Sequence, residues 1–285
     1  MSGKSIGAIV AAAVIAVGAY FGYQYYQQQE AHKQADAFLD KAVTKYGVSA
    51  YKSASVSADG SVTIKDLTVT PKGATEPYQV DELVVHRFDY ANEKPNFMHI
   101  EAKGLHMDVS RIPNPGAQLF LGIMGYKALN ADMELNYDFK PEAKTVTLAL
   151  RETIKDLGEI KLNADLGNVT RDATPPAMQN MEIHSAQVSY HDDSFLDRVL
   201  KMAAAQQGVS EDEVVKRMEQ QLDARLGQSK TKLQTEVISH VKEFLSKRGT
   251  LTIAVSPAQP VPVSELRGMT PDAAFDRLNV KVTND

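Results

Sequence analysis

The stretch Leu129-Asn130-Ala131-Asp132-Met133-Glu134-Leu135-Asn136-Tyr137-Asp138-Phe139 decides the fold class. Every odd position is apolar and every even position is polar. A strand turns alternate side chains to opposite faces, so this period of two gives one dry face and one wet face. Pro141-Glu142-Ala143-Lys144 follows with turn chemistry. Val146, Leu148 and Leu150 then return with the same alternation, Ile160, Leu162, Ala164 and Leu166 repeat it, and residues 183–190 add another strand. Upstream, Asp59-Gly60 is a hairpin signal between segments 53–58 and 61–70. Val62 and Ile64 lie in one phase and Leu67 and Val69 in the other, which predicts a bulge at Lys65-Asp66. Segments 78–90 and 97–109 supply two more strands, the second broken at Gly104. Short connections between successive strands make an antiparallel meander.

Downstream the period changes to 3.6. Asp192 or Asp193 can cap a helix carrying Phe195, Leu196, Val199, Leu200 and Ala203 on one face, and Gly208 ends it. Ser210 and Glu213 form a capping box ahead of a stripe of Val214, Val215, Met218, Leu222 and Leu226. A third helix is expected over 230–247, stopped by Gly249. Leu251, Ile253 and Val255 alternate again, as do Leu278, Val280 and Val282, with a short helix opened by Thr270-Pro271 between them. The expected fold is α+β: a curved antiparallel meander with three amphipathic helices packed on one face. Residues 111–121 interrupt the meander. Their apolar run Leu119, Phe120, Leu121 reads either as a short core-filling helix or as an apolar contact loop for lipid or a partner.

The beginning of the chain has its own signature. Residues 6–23, IGAIVAAAVIAVGAYFGY, contain no charge. As a helix they would rise roughly 27 Å, enough to cross a hydrocarbon core of about 30 Å. The expectation is a transmembrane anchor over 1–23, with Lys4 holding the N-terminus in the cytoplasm. A signal peptide cleaved after Ala19 is the rival reading. Gly7 and Ala11, and Gly18 and Gly22, put small residues one turn apart, a spacing that lets two helices approach closely and self-associate. Residues 24–47 continue as a juxtamembrane helix whose stripe is Ala35, Phe38, Leu39, Ala42, Val43 and Tyr46. Residues 48–285 form the body: mainly strands over 48–190, helices over 191–249, and closing strands with a short helix over 250–285.

Composition narrows the function classes. The 285 residues carry 31 Lys+Arg against 36 Asp+Glu, a net charge of −5, and neither Cys nor Trp. No excess of cations is available to displace phosphate counterions, which argues against nucleic acid as a partner. The absence of Cys excludes disulfides, thiolate metal sites and a thiol nucleophile. Gly3-Lys4-Ser5 mimics the end of a phosphate loop but lacks its glycines and strand. No nucleophile elbow, His-Glu-x-x-His helix or dinucleotide fingerprint occurs. His191-Asp192-Asp193 is the tightest group of ligand-type residues, and helix capping accounts for its aspartates. No catalytic residue, cofactor or metal is expected.

Three segments carry a family resemblance: Gly60-Ser-Val-Thr-Ile-Lys-Asp-Leu-Thr-Val, Val80-Asp-Glu-Leu-Val-Val and Leu157-Gly-Glu-Ile-Lys-Leu-Asn-Ala-Asp-Leu. Together with the apolar leader they resemble the AsmA-like envelope proteins of Gram-negative bacteria and their YdgA-like relatives. The resemblance implies a single-pass inner-membrane protein with a periplasmic body, whose curved sheet offers an apolar groove. This chain is far shorter than the large members of that group. The expectation is a non-catalytic cell-envelope protein acting as an assembly or scaffold subunit. A lipid-binding or lipid-transfer module using the apolar sheet face is the alternative, and an unrecognised hydrolase is a second. Expected partners are the lipid bilayer, other envelope proteins or a second copy in a homo-oligomer, and phospholipid. The candidate groove or core face is Leu129, Met133, Leu135, Tyr137, Phe139, Val146, Leu148, Leu150, Ile160 and Leu162.

Overall fold

In the computed structural model, which describes residues 29–112, 114–171 and 179–285, a helix α1 over residues 29–42 leads into one twelve-stranded sheet. The strands are β1 (Gly47–Ala50), β2 (Ser53–Val56), β3 (Val62–Pro71), β4 (Tyr78–Phe88), β5 (Phe97–Asp108), β6 (Ala128–Lys140), β7 (Thr145–Ile154), β8 (Gly158–Gly167) and β9 (Glu182–Asp192), then β10 (Thr250–Val255), β11 (Val261–Pro262) and β12 (Val280–Asn284). Helix α2 (Pro115–Ile123) lies between β5 and β6. Helices α3 (Phe195–Gln207), α4 (Glu211–Gly227) and α5 (Lys232–Lys247) lie between β9 and β10, and α6 (Pro271–Arg277) precedes β12. The path across the sheet is β1-β3-β4-β5-β6-β7-β8-β9-β10-β12, with β2 on β3 and β11 on β9. Every pairing is antiparallel, and chain order is sheet order.

Local chemistry sets the turns. Gly60 takes φ 85 in the β2–β3 turn, a left-handed conformation that costs a glycine little. The phase change predicted in β3 falls at Asp66, which has φ 52, so both Val62, Ile64 and Leu67, Val69 face the core side. The break at Gly104 is likewise a left-handed residue, φ 62, and a Cβ there would collide with the Asp81 carboxylate. Ser210 accepts from the Glu213 amide at 3.2 Å and Thr270 from the Ala273 amide at 3.3 Å, so both predicted caps form. Asp192 accepts from the Leu196 amide at 3.1 Å at the start of α3.

Two apolar clusters hold the two ends of the sheet. At the first end Ala31, Ala35, Phe38 and Leu39 of α1 pack on Ile64, Val80, Leu83, Val85 and Phe88. At the other, Leu196, Leu200, Val214, Phe244 and Leu245 of the helical hairpins pack with Tyr190 and Leu251. A third cluster, Val109, Leu121, Met124, Tyr126 and Leu129, seats α2 at one end of β5 and β6. The three C-terminal helices pack on the apolar face of the sheet, through Tyr190 and Leu251, but only at one end of it. They cover the β9–β10–β12 end, because the chain inserts them between β9 and β10. Only hairpin turns join β6 to β7 and β7 to β8, so α2 and the Phe195, Val199 and Met202 side of α3 reach these strands only at their Leu129 and Ile154 end, and the row through Leu135, Leu150 and Leu162 is left without a helix over it.

The expected transmembrane helix, and the single-pass inner-membrane and periplasmic placement drawn from it, are also corrected. Among the described residues no helix is long and apolar enough to cross a membrane. The longest, α4, has 17 residues and carries charge along most of its length. Residues 6–23, which carried the expectation, lie outside the described residues, and so do Gly7, Ala11, Gly18 and Gly22.

Asp89 closes the β4–β5 connection. Its carboxylate accepts from the amides of Ala91 at 3.0 Å and Asn96 at 2.9 Å, and from the Asn92 side chain at 2.7 Å. Burial pushes its pKa up, but these donors outweigh burial and hold the carboxyl below the ordinary carboxylate value. A depressed folded pKa contributes stability above the unfolded value that is lost as pH falls through the folded one. Asp89→Asn should therefore cost about 1–3 kcal/mol at neutral pH. In urea melts the gap from the parent chain should close as pH drops below about 4.

Candidate functional site: an uncovered apolar sheet face

The registers align one apolar residue from each of nine strands into a single row. In sheet order they are Val62, Val85, Ile100, Leu135, Leu150, Leu162, Val188, Ile253 and Val282. A second row on the same face runs Met98, Tyr137, Leu148, Ala164, Ala186 and Val255. The ends of the first row are buried under α1 and beside the C-terminal helices. Its middle is open: Leu135, Leu150 and Leu162 are half-buried, Val188 is 44% exposed and Ile253 40%. At about 4.8 Å per strand, the open stretch from Leu135 to Ile253 spans roughly 19 Å. Monomers rarely leave so continuous an apolar surface without a use for it.

All ten residues expected to form a groove or core lie on this face. Leu129, Phe139 and Val146 are buried, Met133, Leu135, Tyr137, Leu148, Leu150 and Leu162 are half-buried, and Ile160 is exposed. Val188 and Ile253, the most open members of the row, are absent from the sequence-derived set. Their own alternation marks their strands, but only the register shows that they extend the same row. Glu152 is the exception in the neighbouring row. It follows Leu150 by two positions and stands between Met133 and Ile160, a half-buried carboxylate on an otherwise apolar surface.

The apolar contact run is split by α2. Leu121 points into the α2 cluster, whereas Leu119 and Phe120 are exposed, and Phe120 meets Phe195 edge-on with centroids 6.0 Å apart. A shallow cleft of about 850 Å³ beside α2 is lined by Val109, Ser110, Gln118, Leu119, Ile123 and Lys127.

The opposite face is wet, and its titratable groups are matched to one another. His99 lies 2.9 Å from Glu134, His86 3.6 Å from Glu101, and Arg87 3.3 Å from Asp138. The His86 and His99 rings lie 4.5 Å apart, tilted by 31°. Lys161 and Arg151 both reach Glu159 and hold its carboxyl below the ordinary value. His191 and Thr250 face each other across β9–β10 at 3.0 Å. Asp193 stands 3.9 Å from the other ring nitrogen, beyond hydrogen-bond distance, so the three form no relay. Asp192, on the apolar side, is committed to the α3 cap and to the Tyr190 hydroxyl, which donates to it at 2.8 Å. Burial, and then that hydrogen bond, push the Tyr190 pKa up. Among the described residues no group of three His, Asp or Glu is placed to hold a metal ion.

An open middle and closed ends make opposite predictions for truncation. Ile64→Ala, beneath α1 at 0% exposure, should cost about 2–5 kcal/mol. Val188→Thr, similar in shape, should change stability by only about 0.5 kcal/mol. Urea melts of both variants check the contrast.

Comparisons with known proteins bring no activity to this site. A family described only as "Uncharacterized protein" matches residues 152–285. That segment holds α3 to α6 and the strands from β8 onward. A relative also described as "Uncharacterized protein", from Aquifex aeolicus (strain VF5), is 24% identical over 282 residues and spans 92% of this chain and 91% of its own.

Proposed function

We propose that this chain is a non-catalytic binding protein that holds the hydrocarbon chain of a lipid on the open face of its sheet, in the manner of the AsmA-like proteins it resembles. The observation that carries the reading is the uncovered row from Leu135 to Ile253, closed at both ends and open in the middle. Covering it removes apolar area from water at about 25 cal/mol per Å². The open span of roughly 19 Å, set by strand spacing, suits a long acyl chain laid across the strands. Glu152 gives that surface one acceptor for a polar head, next to the α2 cluster. The scaffold reading would gain from helices sealing the sheet face, and the helices leave Leu135, Leu150 and Leu162 uncovered. The hydrolase reading meets His86, His99 and His191 on the other face, the first two beside Glu101 and Glu134 and the third beside Thr250.

Native mass spectrometry of the full chain checks this. Phospholipid should be retained at a fixed stoichiometry. Val188→Asp/Ile253→Asp should abolish retention while leaving the circular dichroism spectrum and urea midpoint near those of the parent. A lipid-free parent, or lipid-free dimers lost in the double variant, would replace the lipid with a second copy as the occupant.

A further inference from the structure

We infer that the exposed side of α2 inserts into the surface of a lipid bilayer carrying anionic head groups. Residues 112–126 contain no charged side chain, and they are flanked by Arg111 and Lys127. Within this stretch α2 presents Leu119, 66% exposed, and Ile123, 54% exposed. They are four residues apart and so share one side of the helix. Phe120 borders them.

This tip is held out rather than left loose. Asn114 accepts from the amides of Gly116 and Ala117 at 2.9 and 3.1 Å, which satisfies the start of the helix. Gln118 donates to the carbonyls of Ser110 and Ile112 at 2.8 and 2.6 Å. On the inner side Leu121, Met124 and Tyr126 are buried, and the Tyr126 hydroxyl donates to the Asp156 carbonyl at 2.9 Å. The exposed side chains therefore cannot fold back into the core.

Charge decides the occupant. Arg111 is fixed at the base of the tip by the Pro77 and Glu76 carbonyls, each at 2.6 Å, and stacks 4.3 Å over Tyr78. Lys127 is exposed on the other flank. The Asp108 carboxylate, held ionised by the hydroxyl and amide of Ser110 at 2.7 and 2.8 Å and by the charge of Arg111, sets one acid beside the two cations, so the flanks keep a net positive charge. An uncharged apolar helix between two cations matches acyl chains below anionic head groups. Its inner side contacts Ile154 and Phe195, one row beyond Glu152. On the proposed function, a lipid leaving the bilayer at α2 would meet the open sheet face directly; insertion itself does not depend on that reading.

The chain has no Trp, so Phe120→Trp in the full chain supplies a single indole, which, excited to the red of the tyrosines, reports only its own surroundings. With phosphatidylcholine–phosphatidylglycerol vesicles its emission should shift to the blue and be quenched by brominated acyl chains. Phosphatidylcholine alone should give a smaller shift. Glu142→Trp, in the turn at the far end of β6 and roughly 40 Å away, should not respond. Adding Leu119→Asp/Ile123→Asp, both at exposed positions, should abolish the response without moving the thermal midpoint. Adding Val188→Asp/Ile253→Asp should leave it intact, which separates docking from lipid retention. No shift with vesicles, a shift that persists in the Leu119→Asp/Ile123→Asp background, or a concentration-dependent shift without lipid would each overturn the inference.

Discussion

The antiparallel ladder in chain order is the constraint from which the architecture follows. Each strand pairs with the one before and after it, apart from the short β2 and β11, so a helix can settle only near the strands that its own insertion point adjoins. α1 precedes β1 and lands on β3 and β4. α3 to α5 interrupt the chain between β9 and β10 and land there. Hairpin turns alone connect β6, β7 and β8. The same alternating sequence that makes these strands therefore produces an apolar surface whose middle has no helix over it.

Much of this was legible in the residues. The alternation in 129–139, the turn at Pro141 and the caps at Ser210 and Thr270 are local, and local chemistry determines them. The displacement of phase in β3 was readable because two pairs of apolar residues disagree in parity around Asp66. Coverage was not readable, because amphipathic stripes state that a helix must be buried and not where. The stripes of α3, α4 and α5 are satisfied largely by one another, with Phe244 and Leu245 reaching the sheet end. Nor could sequence alone add Val188 and Ile253 to the face, since a row across strands exists only once the register is fixed. The leader at 6–23 shows the reverse problem: an apolar run is evident, but no described helix answers the span it suggested.

The two faces divide the chemistry of the sheet. Charged and imidazole side chains on the wet side are arranged as cross-strand pairs, which stabilise a ladder by small increments. A reacting group needs a partner, a pocket and exclusion of water together, and the pairs His86–Glu101 and His99–Glu134 stand on an open surface. The dry side offers the converse, shape and hydrophobicity, with Asp192 committed to the α3 cap and Glu152 the carboxylate among the central strands.

The two principal cores are separate, one beneath α1 and one beneath α3 to α5, and between them lie the ladder and the α2 cluster, on which Phe195, Val199 and Met202 of α3 also pack. Such a molecule is held together by nearest neighbours, as repeat proteins are. Loosening one terminus is felt by the adjoining strands first and fades along the row. The central strands are thus held by their cross-strand neighbours along most of their length and by the α2 cluster at one end.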